Sequence, residues 1–201
     1  MPLGELKTAA GIAAAVLSFL SYVPYLTDMF RGRTKPHPYT WLVWGITTGT
    51  AAAGAWYGGG GFGAAPLFFW TALTFFVFFL SLRYGTKDIT WMDAVFLVLA
   101  LAAIVVWWQL KNPVLAVSMV TAVDALGYFP TFRKLIAEPW SESLISWTLF
   151  TATACAGLLA LSAYNYLTVV YLAMSATANV LVITLSLFRR RAVPKPISAR
   201  N

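Results

Sequence analysis

Ser21-Tyr22-Val23-Pro24 and Gly127-Tyr128-Phe129-Pro130 decide the architecture of this chain. Each tetrapeptide ends a long apolar run. Seventeen positions after Pro24 stands Trp41, preceded by Thr40, and seventeen positions after Pro130 stands Trp147, preceded by Ser146. Three residues further on, Trp44 matches Phe150. Two later apolar runs also end alike: Leu80-Ser81-Leu82-Arg83 against Leu185-Ser186-Leu187, which the arginines follow. That register is shorter by one residue, as a single loop deletion would make it, and it sets Thr74 opposite Asn179. Similarity at a fixed spacing marks an internal repeat. Here the repeated unit holds three apolar runs.

Composition says what those runs are. Of 201 residues, 60% are hydrophobic, 16% aromatic and only 10% charged. A soluble domain carries about 25% charged residues. This chain lacks the polar surface to enclose so much apolar material, which excludes a soluble enzyme, a disordered tail and a disulfide-rich secreted module. Cys155 is the sole cysteine and His37 the sole histidine. An intramolecular disulfide, a cysteine metal cluster and a histidine metal site are therefore not expected, nor is any cofactor.

A helix needs roughly 20 apolar residues to cross a bilayer. Charges, prolines and glycines divide the chain into seven such runs, over 8–29, 38–56, 62–82, 90–109, 113–132, 143–164 and 166–188. The predicted fold class is all-α integral membrane with seven transmembrane helices. A first triple-helix bundle covers 8–83, a linker helix 90–109, a second triple-helix bundle 113–188 and a basic cytoplasmic tail 189–201. The two three-helix repeats are parallel in this 3+1+3 plan, because the linker supplies the extra crossing that restores direction. Parallel repeats about an axis along the membrane normal are a known transporter plan. The first run reads as a retained helix and not a signal peptide, since only Glu5 and Lys7 precede it and the dense positive charge follows it.

Under this alternation twelve of the fourteen lysines and arginines fall on one side, leaving Lys7 and Lys111 on the other. The positive-inside rule then predicts the N-terminus outside and the C-terminus in the cytoplasm, in a plasma or inner cell membrane. It also accounts for the net charge of +7 without a nucleic-acid partner. Arg189, Arg190 and Arg191 read as an anchor beside anionic lipid headgroups.

The 3+1+3 arrangement, with a proline near the cytoplasmic end of the first helix of each half, resembles the PQ-loop and SWEET transporter superfamily over roughly residues 10–188. Ala178-Asn179-Val180 is similar to the Asn-containing third helix of the half-size SemiSWEETs. The run from Arg31 to His37, followed by Thr40-Trp41, is similar to a bacterial PQ-loop-like branch. The chain departs from the pattern in places. Pro24 is followed by Tyr25 and Pro130 by Thr131, so the PQ dipeptide is absent. Gly54 and Ala160 stand where SemiSWEETs carry the aromatic that clamps the sugar. The resemblance implies the architecture and a transport role, and leaves the substrate open.

Several residues are candidates for function. Asp124 lies in mid-helix, six residues before Pro130. A carboxyl at bilayer depth costs about 2.5–3.5 kcal/mol on insertion scales, and is tolerated where it faces the bundle interior, pairs or carries a proton. A proton-coupling role is one reading of it, and a structural carboxyl hydrogen-bonded to a neighbouring helix is the other. Tyr128, four residues on, shares its helical face and is expected to bond it. The first-half counterparts are Ser18 and Tyr22. Asn179 is an amide that can offer a donor and an acceptor to a polar solute, and the resemblance also implies substrate contact there. Thr74 is its first-half match. Trp41 and Trp147 are expected at an inner gate, with Trp44 and Phe150 one turn deeper as an apolar wall. Pro24 and Pro130 are candidate gate hinges. Gly58 to Gly61 are expected to form only a flexible outer loop, and Cys155 to pack as a small residue.

The expected function is transport of a small polar solute of the sugar, amino acid, nucleoside or vitamin class, by alternating access. A ligand-binding receptor or sorting protein on the same scaffold is the alternative. No catalytic set is present, so an enzyme is not expected. Expected partners are the solute and the lipid bilayer; an oligomer is possible but not required.

Overall fold

A computed structural model describes residues 3–31, 36–85, 90–137, 139–140 and 142–194, without the side chains of Asp28, Phe129, Pro130, Arg133 and Lys134. The described chain is helical throughout, with no strand: α1 (Leu3–Phe30), α2 (Pro38–Tyr57), a short 3-10 turn (Gly61–Ala64), α3 (Ala65–Tyr84), α4 (Trp91–Leu110), α5 (Pro113–Gly127), α6 (Phe129–Ala137), α7 (Leu144–Ala160) and α8 (Tyr166–Ala192). Four stretches are long and apolar enough to cross a membrane: Leu3–Thr27, Gly61–Tyr84, Trp91–Leu110 and Tyr166–Ala192. The protein is thus a membrane-embedded helical bundle. α5 and α7 are apolar but shorter, at 15 and 17 residues. α2 has 20 residues, yet Gly45, Thr47, Thr48, Thr50 and Gly54 make it less apolar, and all five are buried against protein.

α2, α4, α5, α7 and α8 start where the sequence supplies a cap. The His37 ring accepts from the Thr40 N–H ahead of Pro38, and Asn112 Oδ1 accepts from the Leu115 N–H at 3.0 Å ahead of Pro113. Proline suits the first turn, where its missing N–H would have no partner anyway. Thr90 with Asp93, and Asn165 with Thr168, form reciprocal capping boxes on α4 and α8.

Several boundaries differ from the sequence expectation. The run over 113–132 is not one helix. α5 stops at Gly127, the Tyr128 N–H turns back on the Ala125 and Leu126 carbonyls, and α6 restarts with Pro130 in its first turn. By contrast α1 continues through Pro24 to Phe30. α7 ends at Ala160, and Leu161 to Asn165 form a non-helical joint. Arg189, Arg190 and Arg191 are the last turn of α8 and not part of a tail; residues 195–201 lie outside the described residues.

Packing follows a regular order. α3 lies against both α1 and α2, and α8 lies against both α7 and the α5–α6 pair. Across the molecule α1 packs along α7, and α2 along α5. α4 rests on α2 and α5 and leaves most of its apolar surface outward. Ala51, Ala52, Ala55, Ala64 and Ala154 are buried in the central core; small side chains let helix backbones approach closely.

The glycine run is not a loose loop. Gly59 and Gly61 take positive φ of 79° and 56°, which only glycine adopts without strain. The Gly60 N–H donates to the Ala55 carbonyl, and the Ser162 N–H donates to the Gly60 carbonyl at 3.0 Å. Asn165 Nδ2 donates to the Gly58 carbonyl at 2.7 Å. A Cβ on Gly63 would stand 2.6 Å from the Leu161 backbone. The glycines thus let two joints interlock and close this end of the bundle. Cys155 also departs from expectation: it is exposed on α7.

Candidate functional site: a cavity between the helices

The opposite end, where α1 stops and α2 and α7 begin, is open. A cavity of about 540 Å³ runs from there to the middle of the bundle. That volume lies within the range of small-molecule sites. Its described wall is built from α1, α2, α3, α5, α6, α7 and α8, and includes the buried Tyr171 and Trp70.

Nearly all the residues singled out in the sequence meet around this space. Asn179, Thr74, Trp44, Phe150, Asp124, Tyr128 and Tyr22 line it, as do Pro24, Trp41 and Trp147. The side chain of Pro130 lies outside the described residues. The aromatic rings form a connected chain around the wall. Tyr25 and Trp41 lie 4.9 Å apart between ring centroids, Tyr22 and Trp41 6.1 Å, Tyr22 and Phe150 6.1 Å, and Trp147 and Tyr128 6.0 Å. Trp41 Nε1 donates to Tyr25 Oη at 3.2 Å, and Trp147 Nε1 to Glu142 Oε2 at 3.0 Å.

Matched residues of the two halves form matched contacts. The Tyr22 and Thr74 hydroxyls share a hydrogen bond at 2.8 Å, and Tyr128 donates to Asn179 Oδ1 at 2.9 Å. In each case the tyrosine of the Tyr-x-Pro segment reaches the polar residue of the helix packed beside it. Both bonds cross between helices in the core, where an unpaired polar atom is costly.

Asp124 is buried, at 8% exposure, but its partner is not Tyr128. Thr47 Oγ1 donates to Asp124 Oδ1 at 2.6 Å, and Tyr171 donates to Oδ2 at 2.6 Å. The expectation of a Tyr128–Asp124 bond fails because the chain turns at Tyr128, and that side chain reaches α8 instead of running back along α5. The carboxyl is held between α2 and α8, one donor to each oxygen. Two short bonds from neutral hydroxyls satisfy it without a cation.

Thr47, Tyr171 and Trp70 escaped the sequence reading. A signal for Tyr171 existed: Tyr171, Ser175 and Asn179 recur at four-residue steps on α8 and all line the cavity. For Thr47 the signal was weaker, since it sits in a run of threonines over 47–50. Trp70 carries another kind of mark. Among the described residues its Nε1 is the one buried side-chain polar atom without a hydrogen-bond partner, and the ring lines the cavity.

No group of three or more His, Cys, Asp or Glu gathers for a metal among the described residues. The arrangement is a polar-floored, aromatic-walled chamber in a membrane bundle, reached from one end. Compared with known proteins, the chain matches no family model, no curated protein and no solved structure.

Proposed function

We propose that this chain is a membrane transporter that moves a small polar solute by alternating access between two pseudo-symmetric bundles, α1–α3 and α5–α8, joined by α4, the broken α5–α6 pair standing for one helix of the second. The observation that carries this reading is the pairing of positions around one cavity. Tyr22 and Tyr128, Trp41 and Trp147, Trp44 and Phe150, and Thr74 and Asn179 all face the same space. Exchange packing, α1 on α7 and α2 on α5, supports a two-fold relation between the halves. The scaffold read this way is that of the PQ-loop and SWEET transporters, a reading supported by the Tyr-x-Pro-to-Trp spacing.

An alternating-access site needs one end open and the other shut. The interlocked glycine joint is the shut end, and the mouth between Pro24, Trp41 and Trp147 the open one. With the positive-inside orientation the open mouth faces the cytoplasm. Trp41 and Trp147 form the inner gate. The break before α6 and the proline in α1 are the hinges about which it closes. Asp124, within reach of the cavity, links the cycle to a proton. One chain encloses the whole path, so a monomer suffices.

The alternative is a receptor that binds the same class of solute in the same chamber. Flux into proteoliposomes decides between them. A transporter equilibrates a solute that binds, whereas a receptor binds without equilibrating it. Binding with no flux in either direction overturns the transport reading.

A further inference from the structure

The cavity wall is specific about charge. Its described lining includes two carboxylates, Asp124 and Glu142, and no described lysine, arginine or histidine. Aromatic side chains share the rest of the described wall with serine and threonine hydroxyls and Asn179. Tyr22 and Phe150 meet edge to face at 6.1 Å, Trp70 and Phe150 at 6.5 Å, and Trp147 and Phe150 at 6.2 Å. Aromatic faces carry the negative side of the ring quadrupole, and they attract an ammonium group most strongly where water is excluded.

A polyol would find the tyrosine hydroxyls of the wall already engaged. Sugars need many free donors and acceptors, since a buried hydroxyl left unpaired is costly. Here Tyr22 is spent on Thr74, Tyr128 on Asn179, and Thr47 and Tyr171 on Asp124. Beside them the wall offers aromatic surface, the second lone pairs of the Asp124 oxygens, the Trp70 N–H, and a few scattered donors such as the Ser175 and Thr131 hydroxyls and the Asn179 amide.

We propose that the solute is a small organic monocation, an ammonium compound caged by Tyr22, Phe150, Trp70 and Trp147 with Asp124 as its counter-charge. The proposal rests on the transporter reading of the same chamber and names its substrate class. The Trp70 N–H suits one neutral acceptor oxygen on the same molecule, such as an alcohol.

Equilibrium binding of radiolabelled choline to the purified full-length protein in detergent tests this without flux. Saturable binding is expected. Tetramethylammonium should compete, whereas the neutral carbon analogue of choline, with carbon in place of nitrogen, should not. Asp124→Asn and Phe150→Leu, each checked for a cooperative melt, should weaken binding about tenfold or more. Equal competition by the neutral analogue overturns the proposal, as does the absence of choline binding, or unchanged binding in both folded variants. The wild-type competition needs no variant to fold. Choline binding without flux keeps the cation site and removes the transport reading. Flux of a neutral sugar without choline binding does the reverse.

Discussion

The two halves of the molecule carry matched tyrosines and different chemistry. Each places a tyrosine from its Tyr-x-Pro segment on a polar residue of the neighbouring helix, Tyr22 on Thr74 and Tyr128 on Asn179. Only the second half adds an acid. Six residues before Pro130 stands Asp124, bonded to Thr47 and Tyr171. The matching first-half position is Ser18, and the positions matching Thr47 and Tyr171 are Thr153 and Pro66. There the hydroxyls turn inward on their own helices: Ser18 donates to the Ala14 carbonyl at 2.7 Å and Thr153 to the Leu149 carbonyl at 2.8 Å. The backbone differs as well. α1 runs through Pro24, whereas the chain breaks between α5 and α6 just before Pro130. A few side chains thus give one wall of the chamber a carboxyl and a break in the backbone that the matched positions lack.

The largest expected effect concerns that charge. Asp124→Asn should abolish pH-driven accumulation of the solute in proteoliposomes, while Ser18→Ala should leave it unchanged. Accumulation at the wild-type level in Asp124→Asn would remove the carboxyl from the coupling step and restore functional symmetry to the halves.

The prolines come next. Pro24 lies inside a continuous helix, where proline costs about 3 kcal/mol, so Pro24→Ala should raise the melting temperature in detergent while slowing transport. Pro130 sits in a first turn, where it costs little, and Pro130→Ala should change stability by no more than about 0.5 kcal/mol. Equal shifts in the two variants would erase the difference between the hinges.

A smaller contrast separates the threonines. Thr47→Val takes a donor from a buried carboxyl, and a hydrogen bond to a charged group is worth about 1.5–3 kcal/mol. Thr153→Val removes a bond only to its own helix and should cost less than about 1 kcal/mol. Equilibrium unfolding of the two variants reads the gap, and equal costs would argue against a special environment at Asp124. Smallest of all should be the inter-helix pairs. Double-mutant cycles on Tyr22→Phe with Thr74→Val, and on Tyr128→Phe with Asn179→Ala, should each give about 0.6 kcal/mol of coupling. A zero in one cycle alone would mark that pair as replaceable by the solute.

Much of this was legible in the chain. The matched Trp41 and Trp147, together with Pro24, pointed to residues that do come together at one mouth; the side chain of Pro130 lies outside the described residues. The length of apolar runs located most of the helices, because apolar length is a local property, summed residue by residue. The end of α5 was not legible, because a proline accepts either a kinked helix or a fresh first turn, and only neighbouring helices choose between them. The glycines over 58–61 looked like slack for a related reason: glycine serves both flexibility and close approach, and it is Leu161 and Ser162, a hundred residues away in the chain, that make it the second.

Composition, charge asymmetry and internal repeat alone therefore determined a membrane-embedded helical chain with two similar parts, because each depends on residues counted along one dimension. Tertiary structure decided which hydroxyls satisfy Asp124, which end of the bundle is shut, and that the wall is aromatic with an orphan indole N–H. Those outcomes depend on which side chains face each other across helices, and spacing along the chain does not encode that.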